Sequence, residues 1–367
     1  MQRRTRRRIG ITQIAELANV SIGTVDRALH ARPGINETTR KRILQIANQM
    51  GYTPNLAARA LSTARAKMRI GVCIPRELHF FYDELWEGIY TEAEYYRDLG
   101  IEFLYRPVPE LGKGEAKEVA RILDSGVQGM ILVPGRPQET GALIDKAEGD
   151  NVRVVCVSTD APETKRSSIV CVDPRLHGMI AGELMAKFVR PAAQAAIITG
   201  MLVTENHAHK AEGFEKSFLA KCPGGQVVGI LEAHEDEDES FQRTYELLGN
   251  FPDLDGIYVN TVNCLPVCRA LAARKVSGKV KLIATDLFRE MVPLLEENVI
   301  CASIHQRPYR QGRVAVATLA EHLAAGRPLR TTNYLNPGIV LHSNLHLFQD
   351  FSRAHNSRVL HPVSADC

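Results

Sequence analysis

Residues 11–50 and residues 69–345 carry different hydrophobic periods. In the first stretch apolar positions fall three and four apart, the spacing of short amphipathic helices. Thr12 stands where an N-cap would, and Ile14, Ala15, Leu17 and Ala18 follow as the apolar face of a first helix. Asn19-Val20 makes a short turn. Ser21 then caps a second helix, Ile22 to Leu29, with Val25, Ala28 and Leu29 turned inward. Asn36 caps a third, Glu37 to Met50, whose stripe is Ile43, Ile46, Ala47 and Met50 and which stops at Gly51. Two short helices joined by such a turn predict a helix-turn-helix, and the small Ala15 lets them cross closely.

From Arg69 the pattern becomes short apolar runs between amphipathic segments. Strands are predicted at 69–74, 101–105, 129–133, 153–157, 169–172, 195–199, 227–231, 256–259 and 280–284. Helices are predicted at 83–98, 115–124, 138–148, 176–189, 207–221, 240–249, 264–274 and 309–325. Near-continuous apolar strands separated by helices imply doubly wound parallel sheets covered on both faces, and the repeating order implies two similar lobes. The expected fold class is thus an all-α helix-turn-helix headpiece followed by a two-lobed α/β body. Ligands of open α/β sheets bind beyond the carboxyl ends of the strands. Those positions hold "PRELHFFYD" (75–83), Pro134-Gly135-Arg136, Ser158-Thr159-Asp160, Asn260, Asp286 and "SIHQRPYRQG" (303–312).

Composition narrows the function. Apolar residues are 45% of the 367 and charged residues 24%, which excludes disordered and collagen-like chains. The net charge of +3 conceals an asymmetry: residues 1–67 hold 13 Lys and Arg against three acids, the other 300 hold 32 against 39. A basic module for a polyanion joined to a mildly acidic body fits this split. Arg3, Arg4, Arg6, Arg7 and Arg8 alone would also fit an appended basic scar. No membrane-length apolar run and no signal-peptide pattern are visible, so a cytoplasmic protein without membrane partners is expected. Cys73, Cys156 and Cys171 sit in apolar strands and read as reduced, packed thiols.

The segment from Ile11 to Thr63 resembles the headpiece and hinge of the lactose-repressor (LacI) family without a gap. It carries Ala15-x-x-Ala18-x-Val20-Ser21-x-x-Thr24-Val25 and then Gly51-Tyr52-x-Pro54-Asn55-x-x-Ala58-x-x-Leu61. The resemblance implies that the second helix enters the major groove of operator DNA. Ser21 and Thr24 would hold phosphates, Ile22, Gly23 and Arg27 would face base edges, and Thr12 belongs to the same DNA-binding set. The family usually has a small hydroxyl residue where this chain has Asp26, which would accept from a cytosine amine or orient Arg27. Asn55 would cap a hinge helix too short to stand alone, Ala58 would let two such helices meet in a homodimer, and Leu61 would wedge into the minor groove.

The body, about residues 69–345, resembles the periplasmic-sugar-binding-like domain of the same family, in its ribose-type branch. The resemblance implies that Phe80 and Phe81 stack on a sugar ring, while Asn260, Asp286 and Gln306 bond its hydroxyls. Arg136, Ser158, Thr159, Asp160 and Lys210 complete the expected effector set. The chain departs from the branch where Ser158-Thr159 replaces an Asp-Arg pair and where Lys210 replaces an arginine, which weakens the case for plain ribose. In "EAHEDEDES" (232–240), Glu235 or Asp236 either faces the cleft or belongs to a solvated loop.

Five segments are expected: a basic arm (1–9), the headpiece (10–54), a hinge and linker (55–68), an effector and dimerisation body (69–349) and a loose tail (350–367). Lobe 1 should take about 69–172 and 307–334, lobe 2 about 173–306 and 335–349. His207-Ala208-His209 lacks a third ligand at metal spacing, and Gly112-Lys113-Gly114 is no phosphate cradle. Neither metal nor cofactor is expected. The expected function is a repressor of transcription that binds pseudo-palindromic double-stranded DNA under control of a sugar or sugar derivative. A purine or other non-sugar co-repressor is the alternative within that class. A sugar-acting enzyme fused to a DNA-binding domain is the alternative outside it, and it would need a nucleotide loop and an adjacent catalytic carboxylate, neither of which is visible.

Overall fold

The computed structural model describes residues 11–29, 33–50 and 68–348. The chain divides into compact units, here called headpiece and body.

In the headpiece, helices α1 (Ile11–Ala18), α2 (Ile22–Leu29) and α3 (Glu37–Gln49) enclose a small core. Ile14, Val25 and Ile43 are fully buried at its centre, with Ala15, Ala18, Ala28 and Ala47 around them. α1 starts one residue before Thr12, so Thr12 lies in the first turn and is not the N-cap expected of it. Leu17, expected inside, is 57% exposed. Asn19 makes the turn in the left-handed region (φ 48°), which asparagine tolerates through its short polar side chain. Ser21 and Asn36 act as caps: Ser21 Oγ accepts from the Thr24 amide (3.1 Å) and Asn36 Oδ1 from the Thr39 amide (2.7 Å).

The body holds two six-stranded sheets. Lobe 1 orders its strands β11-β5-β4-β3-β1-β2, from β1 (Met68–Cys73), β2 (Ile101–Tyr105), β3 (Gly129–Leu132), β4 (Arg153–Val157), β5 (Ser168–Val172) and β11 (Thr332–Leu335). Lobe 2 orders them β12-β10-β9-β8-β6-β7, from β6 (Gln194–Thr199), β7 (Gln226–Glu232), β8 (Leu254–Val259), β9 (Lys281–Thr285), β10 (Ala302–His305) and β12 (Gly338–Val340). β1 to β5 and β6 to β10 repeat one winding, and all pairs are parallel except β10 with β12. Ile70, Val72, Met130, Leu132, Ile197 and Ile257 have no exposed surface, as sheets covered on both faces require.

The covering helices of lobe 1 are α4 (His79–Arg97), α5 (Glu115–Asp124), α6 (Pro137–Gly149) and α12 (Pro308–Ala325). Those of lobe 2 are α7 (Pro174–Phe188), α8 (Glu205–Lys221), α9 (Glu237–Asn250), α10 (Leu265–Ala273) and the short α11 (Val292–Glu296). All nine strands and eight body helices read from the sequence are present within a few residues. β10, β11, β12 and α11 were not anticipated. Each is five residues or shorter, and β11 alternates exposed and half-buried positions. Seven cysteines in the described residues are free, and burial pushes the Cys73, Cys156 and Cys171 thiols well up.

One glycine bears on the site. A side chain at Gly178 on α7 would come within 2.0 Å of the Lys210 carbonyl on α8. The missing Cβ lets these two backbones touch and fixes the depth of Lys210 in lobe 2.

Candidate functional site

The headpiece offers a helix face. At the start of α2, Ile22 is 49% exposed although apolar, and Gly23 and Arg27 are exposed beside it. Ser21 Oγ and Thr24 Oγ1 lie 2.8 Å apart at the helix N-terminus, where free amides and the helix dipole favour an anion. A Cβ on Gly23 would meet nothing nearer than Arg27 Nη2 and Ser21 Oγ, both at 3.9 Å. Packing therefore does not require glycine there. Asp26 is half-buried on the same helix. The expected hinge residues Asn55, Ala58 and Leu61 lie outside the described residues.

The body offers a cleft between the strand ends of its lobes. Its lining is Leu78, Phe81, Tyr82, Leu111, Ser158 and Thr159 from lobe 1, and Thr204, Asn206, His207, Lys210, Glu235, Thr261, Val262 and Gln306 from lobe 2. About 40 Å³ is left between the lobes. They are stitched together across it. Thr204 Oγ1 donates to the Gly135 carbonyl (2.8 Å), Asn206 Nδ2 to the Ser158 carbonyl (2.6 Å) and the Asn206 amide to Thr159 Oγ1 (3.4 Å). Glu115 holds the lobe 1 side of this seam, because its buried carboxylate accepts from the Gly112 (2.7 Å) and Gly135 (3.0 Å) amides.

Five of the ten expected effector residues line the cleft: Phe81, Ser158, Thr159, Lys210 and Gln306. The other five do different work. Phe80 stacks on Phe288 of lobe 2 (centroids 3.9 Å apart), so the expected aromatic pair divides and Tyr82 takes the second place in the lining. Asp160 is held by the Arg166 guanidinium through both its oxygens. Arg136 is half-exposed, its guanidinium 3.8 Å from Glu139, and does not reach the lining. Asn260 is fully buried behind the wall, its Nδ2 donating to the His207 carbonyl (3.0 Å). Asp286 also lies behind the wall, accepting from the Gln306 amide (2.7 Å) and from Gln306 Nε2 (2.6 Å). These bonds and the imidazole of His305, 3.3 Å away, hold Asp286 below the usual carboxylate range against the opposing effect of its burial. Asp286 therefore aims Gln306 at the cleft; a carboxylate accepts only, so the glutamine nitrogen must face it.

Lys210 and Glu235 carry the charge of the lining. Burial brings Lys210 down to about 8 and lifts Glu235 to about 7. Lys210 Nζ donates to the Asn260 carbonyl (3.2 Å). Thr261 donates to Glu235 Oε2, while Oε1 lies 3.4 Å from His207 Nε2 and has no hydrogen-bond donor. Burial pushes His207 down to about 3, so it is neutral; its Nδ1 lies 3.1 Å from the Met201 amide and 3.2 Å from the Met201 carbonyl, so either tautomer finds its partner in the Met201 backbone. Glu235 thus turns a buried side chain into the wall, whereas its neighbour Asp236 caps α9 by accepting from the Glu239 amide (2.8 Å). Ser158, Glu235 and Asp286 all have positive φ (69°, 61° and 65°), backbone strain of the kind that gathers at functional sites.

The sequence reading missed Tyr82, Asn206, His207 and Thr261 as lining. Thr261 directly follows the strand-end residue Asn260, so one more step along the strand-end rule finds it. Asn206 and His207 lie in the first turn of α8, one just before and the other at the expected start of that helix. His209 pairs with Glu205 (3.1 Å), and no group of three or more metal-ligating side chains occurs among the described residues. None of the described helices is long and apolar enough to cross a membrane.

Comparison with known proteins matches both units of the chain. Residues 70–328 match the model of the periplasmic binding protein domain, and residues 10–55 match that of bacterial regulatory proteins, lacI family. The chain is 28% identical to the HTH-type transcriptional regulator DegA of Bacillus subtilis over 166 residues, 45% of this chain and 48% of that one. It is 24% identical to catabolite control protein A of Priestia megaterium over 320 residues, 86% of this chain and 92% of that one. In fold, the body is similar to a solute-binding protein of Burkholderia graminis solved with D-arabinose, with a TM-score of 0.70 at 23% identity, covering 76% of this chain and 96% of that one. With a capped helix-turn-helix at one end and a two-lobed ligand cleft in the remainder, the chain belongs to the lacI family of regulators, its headpiece fused to a periplasmic binding protein domain.

Proposed function

We propose that the protein is a repressor of transcription that binds a pseudo-palindromic operator as a homodimer, and that a sugar or sugar derivative in the cleft sets its operator affinity. The observation that carries the reading is the cleft wall. Aromatic and aliphatic faces (Phe81, Tyr82, Leu78) stand against planar and charged hydrogen-bonding groups (Asn206, Gln306, Lys210, Glu235). A sugar ring offers apolar faces and a rim of hydroxyls, and each surface finds its counterpart here. The D-arabinose complex of the structural relative supports the same class.

On the DNA side, Ser21 and Thr24 hold phosphates, while Ile22 meets a thymine methyl and Arg27 a guanine edge. The coupling follows from linkage. A ligand that prefers one arrangement of the lobes shifts the population toward it, and the DNA-binding half responds to that shift.

A thermal-shift screen of the full chain with sugars, sugar alcohols and purines tests the ligand class. At one hundred times its dissociation constant a true effector adds about 2.7 kcal/mol of stability. A shift with purines alone would replace the sugar reading by the co-repressor alternative. Turnover of a sugar with ATP would replace it by an enzyme.

A further inference from the structure

The charges around the cleft do not balance. Glu235 lines it and Asp286 lies directly behind Gln306. The charge of Glu77 adds to the burial that raises the proton affinity of Glu235, whereas Glu84, lifted to about 8 by its burial and then by the charge of Asp286, is protonated at neutral pH and brings no charge. Opposite them are Lys210, which spends one donor on the Asn260 carbonyl, and the His305 imidazole beside Asp286. Arginines are absent from the lining. Arg166 is committed to Asp160, and Arg76 lies over the Trp86 ring with a bond to Tyr90.

Hydrogen bonding is one-sided in the same sense. Glu235 Oε1 and Asn206 Oδ1 are buried acceptors on the lobe 2 wall with no hydrogen-bond donor, and Asn260 Oδ1 behind them is a third. The first-turn amides of α8, which would otherwise draw an anion, are spent. The Asn206 amide goes to Thr159, and those of His207 and Ala208 go to the Thr204 carbonyl. Buried acceptors without donors, gathered around a carboxyl that a cation would ionise, call for a ligand that brings donors and positive charge.

We propose that the cleft takes a cationic carbohydrate, an amino sugar or amino polyol, whose ammonium docks on Glu235 and Asn206 while its hydroxyls engage Lys210 and Gln306. The proposal rests on the carbohydrate reading above and narrows it. An ammonium is a donor only, with three N–H groups, so it serves the orphaned oxygens and offsets Glu235 together. Hydroxyls bring donors without charge. A sugar phosphate or sugar acid would set a second anion against Glu235 with Lys210 as the one cation of the lining to meet it.

Calorimetry on the full chain at neutral pH decides this. The probes are D-glucosamine, D-galactosamine and D-mannosamine, their neutral parent sugars, their N-acetyl derivatives and the parents' 6-phosphates. The best amine should bind at least about tenfold tighter than its parent and its N-acetyl derivative, with no binding by the phosphates. Glu235→Gln should bring amine and parent within about twofold of each other. The N-acetyl comparison needs no variant, so it stands even if Glu235→Gln misfolds. A parent sugar binding as tightly as its amine, or a phosphate binding best, would overturn the cationic ligand and leave the carbohydrate reading in place. Silence from every probe would overturn the amino-sugar ligand, while the thermal-shift screen above decides the carbohydrate reading separately.

Discussion

The two lobes share one winding and do opposite things at the cleft. Lobe 1 presents Leu78, Phe81, Tyr82 and Leu111 with the hydroxyls of Ser158 and Thr159, and no charged side chain of it lines the cleft. Lobe 2 presents both charged lining residues, Lys210 and Glu235, together with the amides of Asn206 and Gln306. The contrast is sharpest at equivalent turns. Ser158 follows the fourth strand of its lobe and Asp286 the corresponding strand of the other, both at positive φ. In lobe 1 that turn lends a carbonyl to Asn206; in lobe 2 it lends a carboxylate that fixes Gln306. Topology fixes where the strand ends meet, and the side chains decide what meets there. On this account lobe 2 recognises the ligand and lobe 1 closes over it.

The largest effect should come from removing the lobe 2 turn. Asp286→Ala strands the Gln306 amide and side-chain donors and should cost about 3 kcal/mol of stability in chemical denaturation. Ligand affinity should fall at least about tenfold while operator binding persists. Ser158→Ala keeps the carbonyl that Asn206 uses and should cost under about 1 kcal/mol. Equal losses from the two variants would erase the contrast between the lobes.

Titration sharpens the contrast from another side. Burial lifts Glu235 from 4.5 to about 7, so its contribution to stability is full below 4.5 and disappears as pH rises through 7. His207 and His177, both pushed down to about 3 from 6.5, act in the opposite sense, gaining between those values, and Lys210, at about 8, gains only above that pH. Lys210, His207, Thr261 and the charge of Glu77 surround Glu235 and are unchanged in Glu235→Gln. Comparing the two proteins removes this carboxyl together with the charge by which it supports Lys210. Between pH 4.5 and 8, unliganded wild type should lose on the order of 3 kcal/mol relative to the variant in thermal melts. Parallel pH profiles would mean that Glu235 is not buried as described.

A smaller effect is expected at the seam. Thr204→Val removes the bond to the Gly135 carbonyl and should cost about 1 kcal/mol. Solution scattering should then show a larger radius of gyration as the lobes part. An unchanged radius would show that this stitch does not hold the closed form. Smallest in stability is Gly23→Ala on α2, which meets only ordinary contacts and should add up to about 1 kcal/mol through helix propensity. Its readout is the preferred operator sequence, which should change because the new methyl sits on the exposed face.

Legibility differed between the units for a physical reason. In the headpiece, caps, turn and core lie within a few residues of one another, so local spacing finds Ser21, Asn36 and the Ile14–Val25–Ile43 core directly. Thr12 misled because α1 already includes the residue before it, and Leu17 because the helical period carries it off the buried Ile14–Ala15–Ala18 stripe. In the body, the strand-end rule pointed to the cleft from β1, β4, β8 and β9. It did not separate side chains that enter the cavity from those that support the wall. Asp286 and Asn260 follow their strands as Thr261 does, yet they face inward toward Gln306 and His207. Asp160 was lost to Arg166, a partner on the loop before β5 that spacing does not reveal. Glu235 sits in an acidic run that looks solvated, and only the fold turns one of its carboxylates inward.

If the lobe 2 wall reads the ligand, ligand binding there should change the hold on DNA. Fluorescence anisotropy of the full chain on a duplex recovered by in vitro selection, with and without the tightest ligand from the screen, tests it most directly. The account predicts a change in operator affinity of about 5- to 150-fold at saturating ligand, in either direction, and none in Asp286→Ala at the same ligand concentration. Operator affinity unchanged in the wild type, with the ligand shown to be bound, would contradict it.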